Sequence, residues 1–408
     1  MRPLPNPGAT GDRARILPIL LAVAVVVAAA ACGSPTSPAL SPSASAAAVG
    51  PTGSAIPGAV PPAPTPTPVP MPTPTPTPMP TPVLVVAPLT GRLVAPDLAA
   101  RHPIAVMVDD QWDARPQSGF TDASIVWQAP AEGGIPRYMM IFAEGDPSAV
   151  GPVRSARLYF VQWAAEWNAV YVHVGGSPLA MALLREKGHG QLVFDADEFR
   201  WGGTYLWRTK DRFAPHNVYT DGKRLRALAG KVGAAPLEAA KPAWRFAPDA
   251  ALALRPAGSR IDVAYRYGAF SYRYDRPSNT WRRYVDGKVQ RDRANDMVVA
   301  PKNVVVMEVR FGLLGAGQHG RLEAATIGSG RAWIATNGAV VRGTWKKTSA
   351  ASPTRFFDRA GKQVTLTQGQ TFIQVMPSGT PVTVVNGKRV FDPAKAADLG
   401  VRQVRGAR

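Results

Sequence analysis

The stretch Gly151-Pro152-Val153-Arg154-Ser155-Ala156-Arg157 lies between two runs of different periodicity. Before it, Tyr138-Met139-Met140-Ile141-Phe142 reads as a strand. After it, Leu158, Val161 and Ala165, with Tyr159, Trp163 and Trp167, recur at helical spacing. The stretch is therefore read as a strand-to-helix join that carries two arginines and a serine, with the helix N-terminus at Ser155. Comparable joins stand at Glu132-Gly133-Gly134, Gly175-Gly176-Ser177-Pro178 and Ala214-Pro215-His216-Asn217.

Working outward, Ile104–Val108, Ala123–Trp127 and Ala169–Val174 are apolar runs of strand length, and Leu179–Lys187 reads as a helix with Ser177 at its N-cap and Pro178 at N1. The alternation predicts an α/β fold class: a layered α/β N-terminal domain over residues 84–240. From about residue 241 the period changes to 2, as in Tyr265-Arg266-Tyr267 and Ser271-Tyr272-Arg273-Tyr274. Turn pairs recur at Asp286-Gly287, Asn337-Gly338 and Asn386-Gly387, and Asn-Gly between alternating runs marks a hairpin. A mostly antiparallel β domain is expected over 241–390, with exposed arginine and aromatic faces suited to a polyanion or glycan. A basic tail, 391–408, follows.

The N-terminus reads as an address. Arg2, Arg13 and Arg15 precede an apolar run from Ile16, and small residues lead to Cys32, the chain's one cysteine. Residues 1–32 thus have the form of a lipoprotein signal peptide, with lipidation at Cys32. The run of about 16 residues is short for a membrane span of ~20. One cysteine excludes a disulfide framework. Residues 33–83 read as a coil followed by a stalk in which proline occupies every second position from Pro64 to Pro82. Pro61–Pro82 in polyproline II geometry would span ~65 Å, which points to a target in the cell-wall layer rather than in the lipid.

Formal net charge is +19, and arginine dominates the motifs above. Guanidinium binds carboxylate and phosphate in a bidentate fashion, so an anionic partner is expected. The expected crevice is lined by Arg115, Arg137, Arg154, Ser155, Arg157, Ser177, His216 and Asn217, with free N–H groups at Ser155 and Ser177 as the anion seat. The alternative is that both serines are only caps and that the arginines pair with Asp109, Asp110 or Glu132. His173, within an apolar strand, reads as a core residue. His216, in a loop, is the candidate acid–base group, with Glu132, Asp109 or Asp110 as partner. No H-x-x-x-H spacing points to a metal, no cofactor is expected, and neither a G-x-S-x-G elbow nor an S-x-x-K pair is present. Trp201, Tyr205, Trp207 and Arg208 form an aromatic–basic patch.

Arg115-Pro116-Gln117-Ser118-Gly119, Asp122–Val126, Glu132–Arg137, Gly151–Arg157, Gly175-Gly176-Ser177 and Ala214–Asn217 together resemble the YerB-like lipoproteins, whose two halves are the domains of unknown function numbered 3048. The chain departs from that pattern at Asp110 (for asparagine) and Pro136 (for threonine). The resemblance implies an exported, lipid-anchored, two-domain protein and supplies no catalytic residues. Two functions follow. One is an envelope binding or assembly protein, tethered to the membrane by Cys32, that holds an anionic cell-wall polymer or an envelope protein. The other is a wall-acting hydrolase or transferase that uses His216 with Glu132 or a serine. Charge alone permits nucleic acid, but the anchor and the lack of a recognised module argue against it.

Overall fold

Strands from both halves of the chain join one sheet. The computed structural model describes residues 83–185, 192–237, 242–265, 268–315 and 320–389. The expected signal with Cys32, nearly all of the expected stalk and the expected basic tail lie outside them. The first half supplies β1 (Ile104–Asp109), β2 (Ile125–Pro130), β3 (Pro136–Phe142), helix α1 (Leu158–Ala164), β4 (Val170–His173), α2 (Pro178–Arg185), β5 (Phe194–Asp197) and α3 (Gly222–Lys231). The second half supplies β6 (Arg260–Tyr265), β7 (Gly268–Asp275), β8 (Thr280–Val285) and β9 (Lys288–Val289). It continues with β10 (Asn303–Val309), β11 (Gly328–Thr336), β12 (Ala339–Lys347), β13 (Arg355–Asp358), β14 (Thr371–Pro377) and β15 (Val382–Val385).

The ten-stranded sheet runs β13-β12-β11-β10-β14-β2-β3-β1-β4-β5. Its pairs β10–β14, β14–β2, β1–β4 and β4–β5 are parallel, and the others are antiparallel. A five-stranded antiparallel sheet, β9-β8-β7-β6-β15, packs on one face. The molecule is therefore mostly β with several sheets. The expected separate layered α/β domain does not stand apart, because β2 finds its neighbour in β14, with Ile125 beside Thr371. Strand periodicity reports which faces are buried and is silent about so distant a partner. The expected hairpin on Asn337-Gly338 is present. Thr336 pairs with Ala339, and both turn residues have positive φ, 46° and 75°.

The central strands are apolar without alternation because both faces are covered. On one face Val106, Val126, Met140, Val306 and Phe372 meet Ile261 and Trp281 of the smaller sheet and Leu225 and Leu228 of α3. On the other, Met107, Trp127, Ile141, Val305 and Ile373 meet Tyr159, Phe160 and Trp163 of α1. Trp127 stacks on Trp163 with ring centroids 4.8 Å apart and an interplanar angle of 13°.

One charged side chain lies between the two sheets. Arg283 of β8 is fully buried. Its Nε donates to Tyr272 Oη (3.1 Å), Nη1 to Tyr138 Oη (3.3 Å) and to Gln290, and Nη2 to Gln128 Oε1 (2.6 Å). Phe270 and Phe372 each lie 4.6 Å from its guanidinium carbon. Gln128 in turn donates to Asp110 Oδ2 at 2.6 Å, which brings a buried carboxylate within one side chain of the cation. Burial pushes the Asp110 carboxyl above its ordinary value, and the charges of Arg115 and Arg283 limit the rise. Replacing Arg283 with methionine keeps the volume but leaves these partners unsatisfied. We expect a loss of about 3–5 kcal/mol in urea denaturation. R283K should lose a comparable amount, because an ammonium cannot supply the planar fork.

Candidate functional site

Gly151–Arg157 crosses the edge where β1, β2 and β4 end, and its backbone binds to several segments at once. Asp109 N–H donates to Pro152 O (2.9 Å) and Arg154 N–H to Met107 O (2.9 Å). Val150 and Val153 N–H donate to Thr220 O and Val218 O, both at 2.7 Å, and Ala156 N–H donates to Gly175 O at 2.9 Å. Glycine is required at 151, where a Cβ would come within 2.8 Å of Val218 O and 2.7 Å of the Tyr219 ring. The stretch is extended as far as Arg157, which is the N-cap of α1 and makes no side-chain cap bond. Ser155 therefore does not begin a helix, contrary to expectation, because residues 150–156 satisfy their backbone groups across the sheet edge. Ser177 does act as a cap, with Ala180 N–H reaching its Oγ at 3.4 Å.

The arginines of this edge are held by the protein's own carboxylates. Arg157 reaches Glu132 through Nη2 (2.6 Å) and Nε (2.5 Å), and Arg137 Nη2 reaches the same group at 3.3 Å. Arg137 Nη1 also donates to Ser155 O at 2.8 Å. Arg154 Nε lies 3.0 Å from Asp109 Oδ2. Burial, with the charge of Arg157 beside it, lowers Arg137 to about 10 against the pull of Glu132. Burial opposes ionisation of Glu132, but the hydrogen bond from Arg157 and the charges of Arg137 and Arg157 outweigh it and hold the carboxyl below its ordinary value. Glu132 thus takes two of the guanidinium groups expected to hold an anion beside Ser155.

Of the three carboxylates expected as partners of His216, the structure brings Asp109 to it. Its Nδ1 lies 2.9 Å from Asp109 Oδ2, whereas Glu132 is taken by the two arginines. A carboxylate acceptor fixes the proton on Nδ1 and leaves the Nε2 lone pair free. Nε2 makes no hydrogen bond among the described residues. Asn217 Oδ1 accepts from Arg208 Nη1 (3.1 Å) and its carbonyl accepts from Thr209 N–H (2.8 Å), so it shapes the loop.

His216 borders a cleft of about 620 Å³, lined also by Asp113, Arg115, Pro116, Asp211, Arg212, Phe213, Ala214 and Arg293. Arg115 is paired with Asp110 (2.8 Å) and Asp286 (3.2 Å). Arg293 is paired with Asp211 and donates to Tyr219 Oη at 3.3 Å. Arg212 differs: its Nη1 and Nη2 donate to the backbone carbonyls of Asp113 (3.0 Å) and Pro116 (2.7 Å). Among the described residues it forms no ion pair with a carboxylate. Arg212 and Arg293 were not singled out in the sequence. Arg212 had a signal available, four residues before His216 in the same loop. Arg293 had none, since Asp292 sets its place. That buried carboxylate accepts from Gly119 N–H (3.0 Å) and Thr121 N–H (2.9 Å) and ties the 292–297 turn to the first half.

Of the remaining sequence candidates, His173 is fully buried between Gly175 O and Asp195 Oδ1, each at 2.7 Å. Among the described residues no group of three or more His, Cys, Asp or Glu is placed to hold a metal ion, and no helix is long and apolar enough to cross a membrane.

Residues 89–235 match the N-terminal domain, and residues 261–373 the C-terminal domain, of the protein of unknown function DUF3048. The chain is also 31% identical over 311 residues to the Bacillus subtilis (strain 168) protein named Putative lipoprotein YerB, across 74% of this chain and 90% of that one. The chain belongs to the DUF3048 family. The crystal structure of YerB from Bacillus subtilis superposes with a TM-score of 0.66 at 27% identity, over 74% of this chain and 99% of that one. The DUF3048 halves named in these matches share the ten-stranded sheet, and the edge motifs of the first half meet Arg293 of the second.

Two measurements check this geometry. The Glu132 carboxyl is lowered from 4.5, so its contribution is present above that value and is lost as pH falls through the folded value. E132Q should cost about 3 kcal/mol at pH 7 and should flatten the acid limb of the stability–pH curve. For His216, ¹⁵N spectra of the neutral ring should show the proton on Nδ1, and D109A should shift the population toward Nε2–H.

Proposed function

We propose that the protein is an exported envelope lipoprotein, anchored through Cys32 and raised by its proline stalk, that seats an anionic ligand in the cleft beside His216. The observation that carries this reading is Arg212. It is a half-buried guanidinium at a concave surface, oriented by two carbonyls, and it forms no ion pair with a carboxylate among the described residues. Arg115 and Arg293 are aligned beside it by carboxylates that leave part of each fork toward the cleft. Such pre-oriented donors suit a phosphate or carboxylate group. The ligand class is an anionic group of a wall polymer or of an envelope protein. The lipoprotein name borne by the Bacillus subtilis relative supports the anchor. Of the arginines first read as the seat, Arg115 lines the cleft, whereas Arg137 and Arg157 are held by Glu132 and Arg154 by Asp109.

The Asp109–His216 pair supports a second reading, a hydrolase or transferase. A carboxylate that orients imidazole and leaves Nε2 toward a cleft is the arrangement of a general base. Glu132 cannot serve as its partner while held by Arg137 and Arg157, and His216 has no serine hydroxyl bonded to it among the described residues. An enzyme of this kind would use water or a substrate hydroxyl as nucleophile.

Binding of inorganic phosphate and of purified anionic wall polymer to the full chain tests the first reading. R212Q should weaken binding about 10–100-fold, as expected for the loss of a charge-assisted contact worth ~1.5–3 kcal/mol. Unchanged affinity would remove Arg212 from the site. H216A separates the readings: a binder keeps its affinity within about threefold, whereas an enzyme on wall material loses ~10²-fold or more in turnover.

A further inference from the structure

A second arginine array lies on the outer face of the five-stranded sheet, apart from the cleft. Arg260 of β6 is registered directly opposite Arg273 of β7, and Arg273 directly opposite Arg282 of β8. Their partners one residue along, Ile261, Tyr272 and Arg283, are all fully buried. Strand alternation therefore turns the three arginines to the same exposed side. Adjacent strands are ~4.8 Å apart, so the three form a straight row about 10 Å long across the strands. Like charges directly opposite one another destabilise a sheet, and here three occupy consecutive strands.

The row is only partly neutralised. Arg260 Nε lies 2.8 Å from Asp262 and Arg282 Nε lies 3.7 Å from Asp275. Arg273, at the centre, makes no ion pair among the described residues. It stacks on Tyr284, with 4.2 Å from the guanidinium carbon to the ring centroid, which leaves its N–H edge free. Asp262 lies on one side of the row and Asp275 on the other. The exposed positive charge is thus a strip one residue wide between two carboxylates. A plane of anionic lipid headgroups would meet those carboxylates as well as the arginines. A single chain of anionic groups laid along the row would meet the arginines alone.

We infer that this face is a binding surface for a linear polyanion with closely spaced phosphate or carboxylate groups, running across the strands over Arg260, Arg273 and Arg282. Each guanidinium supplies a fork to one anionic group, and binding relieves the repulsion within the row. The surface is independent of the cleft: it shares no residue with it and lies on strands whose inner faces, not outer ones, carry the core.

The test uses the full chain, both wild type and R212Q, so that cleft occupancy does not contribute. The probe is linear inorganic polyphosphate, with phosphatidylglycerol vesicles in parallel. Adding R260Q/R273Q/R282Q to either background should weaken polyphosphate binding at least tenfold and lower the slope of log affinity against log salt by about two to three. The Lys variants at the three positions should retain most of the slope. The glutamine variant should melt at or above the parent temperature, because repulsion has been removed. Undiminished polyphosphate affinity in the glutamine variant would overturn the inference. So would a fall in melting temperature that accompanies the lost binding, since the arginines would then be holding the sheet. Row-dependent vesicle binding as tight as that of polyphosphate would replace the linear partner with a membrane. Loss of phosphate binding in R212Q with row binding intact would leave this inference standing, and the reverse result would leave the cleft standing.

Discussion

The structure depends on one buried cation. Arg283 lies in the seam between the ten-stranded and five-stranded sheets, and a guanidinium taken out of water is tolerated only if its donors are met. Its partners come from both halves: Gln128 and Tyr138 from β2 and β3, and Tyr272 and Gln290 from the second half. This requirement ties the register of β8 to the register of β2 and β3. The same chain of hydrogen bonds runs through Gln128 to Asp110 and on to Arg115, which borders the cleft. The position of a surface arginine is thus coupled to the packing of the core by three consecutive polar contacts. A buried ion pair, Lys347 with Glu166 at 3.0 Å, clips the turn that follows α1 to β12 on the opposite face.

Charge at the strand edge is arranged by the same logic. Arginines that enter the interior receive carboxylates: Arg137 and Arg157 share Glu132, and Arg154 takes Asp109. Among the described residues, arginines such as Arg212 in the cleft and Arg273 on the outer sheet face make no ion pair and face solvent. The functional reading follows from this remainder rather than from the abundance of arginine, because a buried guanidinium closed by a carboxylate, as Arg157 is by Glu132, has little left to offer a ligand.

Much of the local structure was legible in the sequence. The apolar runs at 104–108, 138–142 and 169–174 are strands because burial on both faces demands unbroken hydrophobicity. Asn337-Gly338 makes a hairpin because both residues must take positive φ. Ser177-Pro178 caps a helix, and His216 belongs to a loop at the candidate site. Other features could not be read. The run Trp281-Arg282-Arg283-Tyr284 in β8 gives Arg283 the look of an ordinary strand residue, and only the two facing sheets reveal that it points inward. Ser155 looked like a helix start because the helical apolar spacing begins soon after it, yet the cross-sheet hydrogen bonds of Gly151–Ala156 keep the chain extended to Arg157. The partnership of β2 with β14 and the delivery of Arg293 by Asp292 both join residues far apart in the chain, and no local pattern encodes them. The arrangement of site residues was least legible, since pairing decides which arginines are free and pairing is a property of the fold.

The most direct measurement of the central claim is a crystal structure of the protein soaked in selenate, an anion whose anomalous scattering locates it without ambiguity. An anomalous peak within hydrogen-bonding distance of the Arg212 guanidinium, in the cleft beside His216, is the predicted result. A cleft without a peak, in crystals where selenate has displaced Glu132 from Arg157, would contradict it and return the anion site to the Gly151–Arg157 stretch.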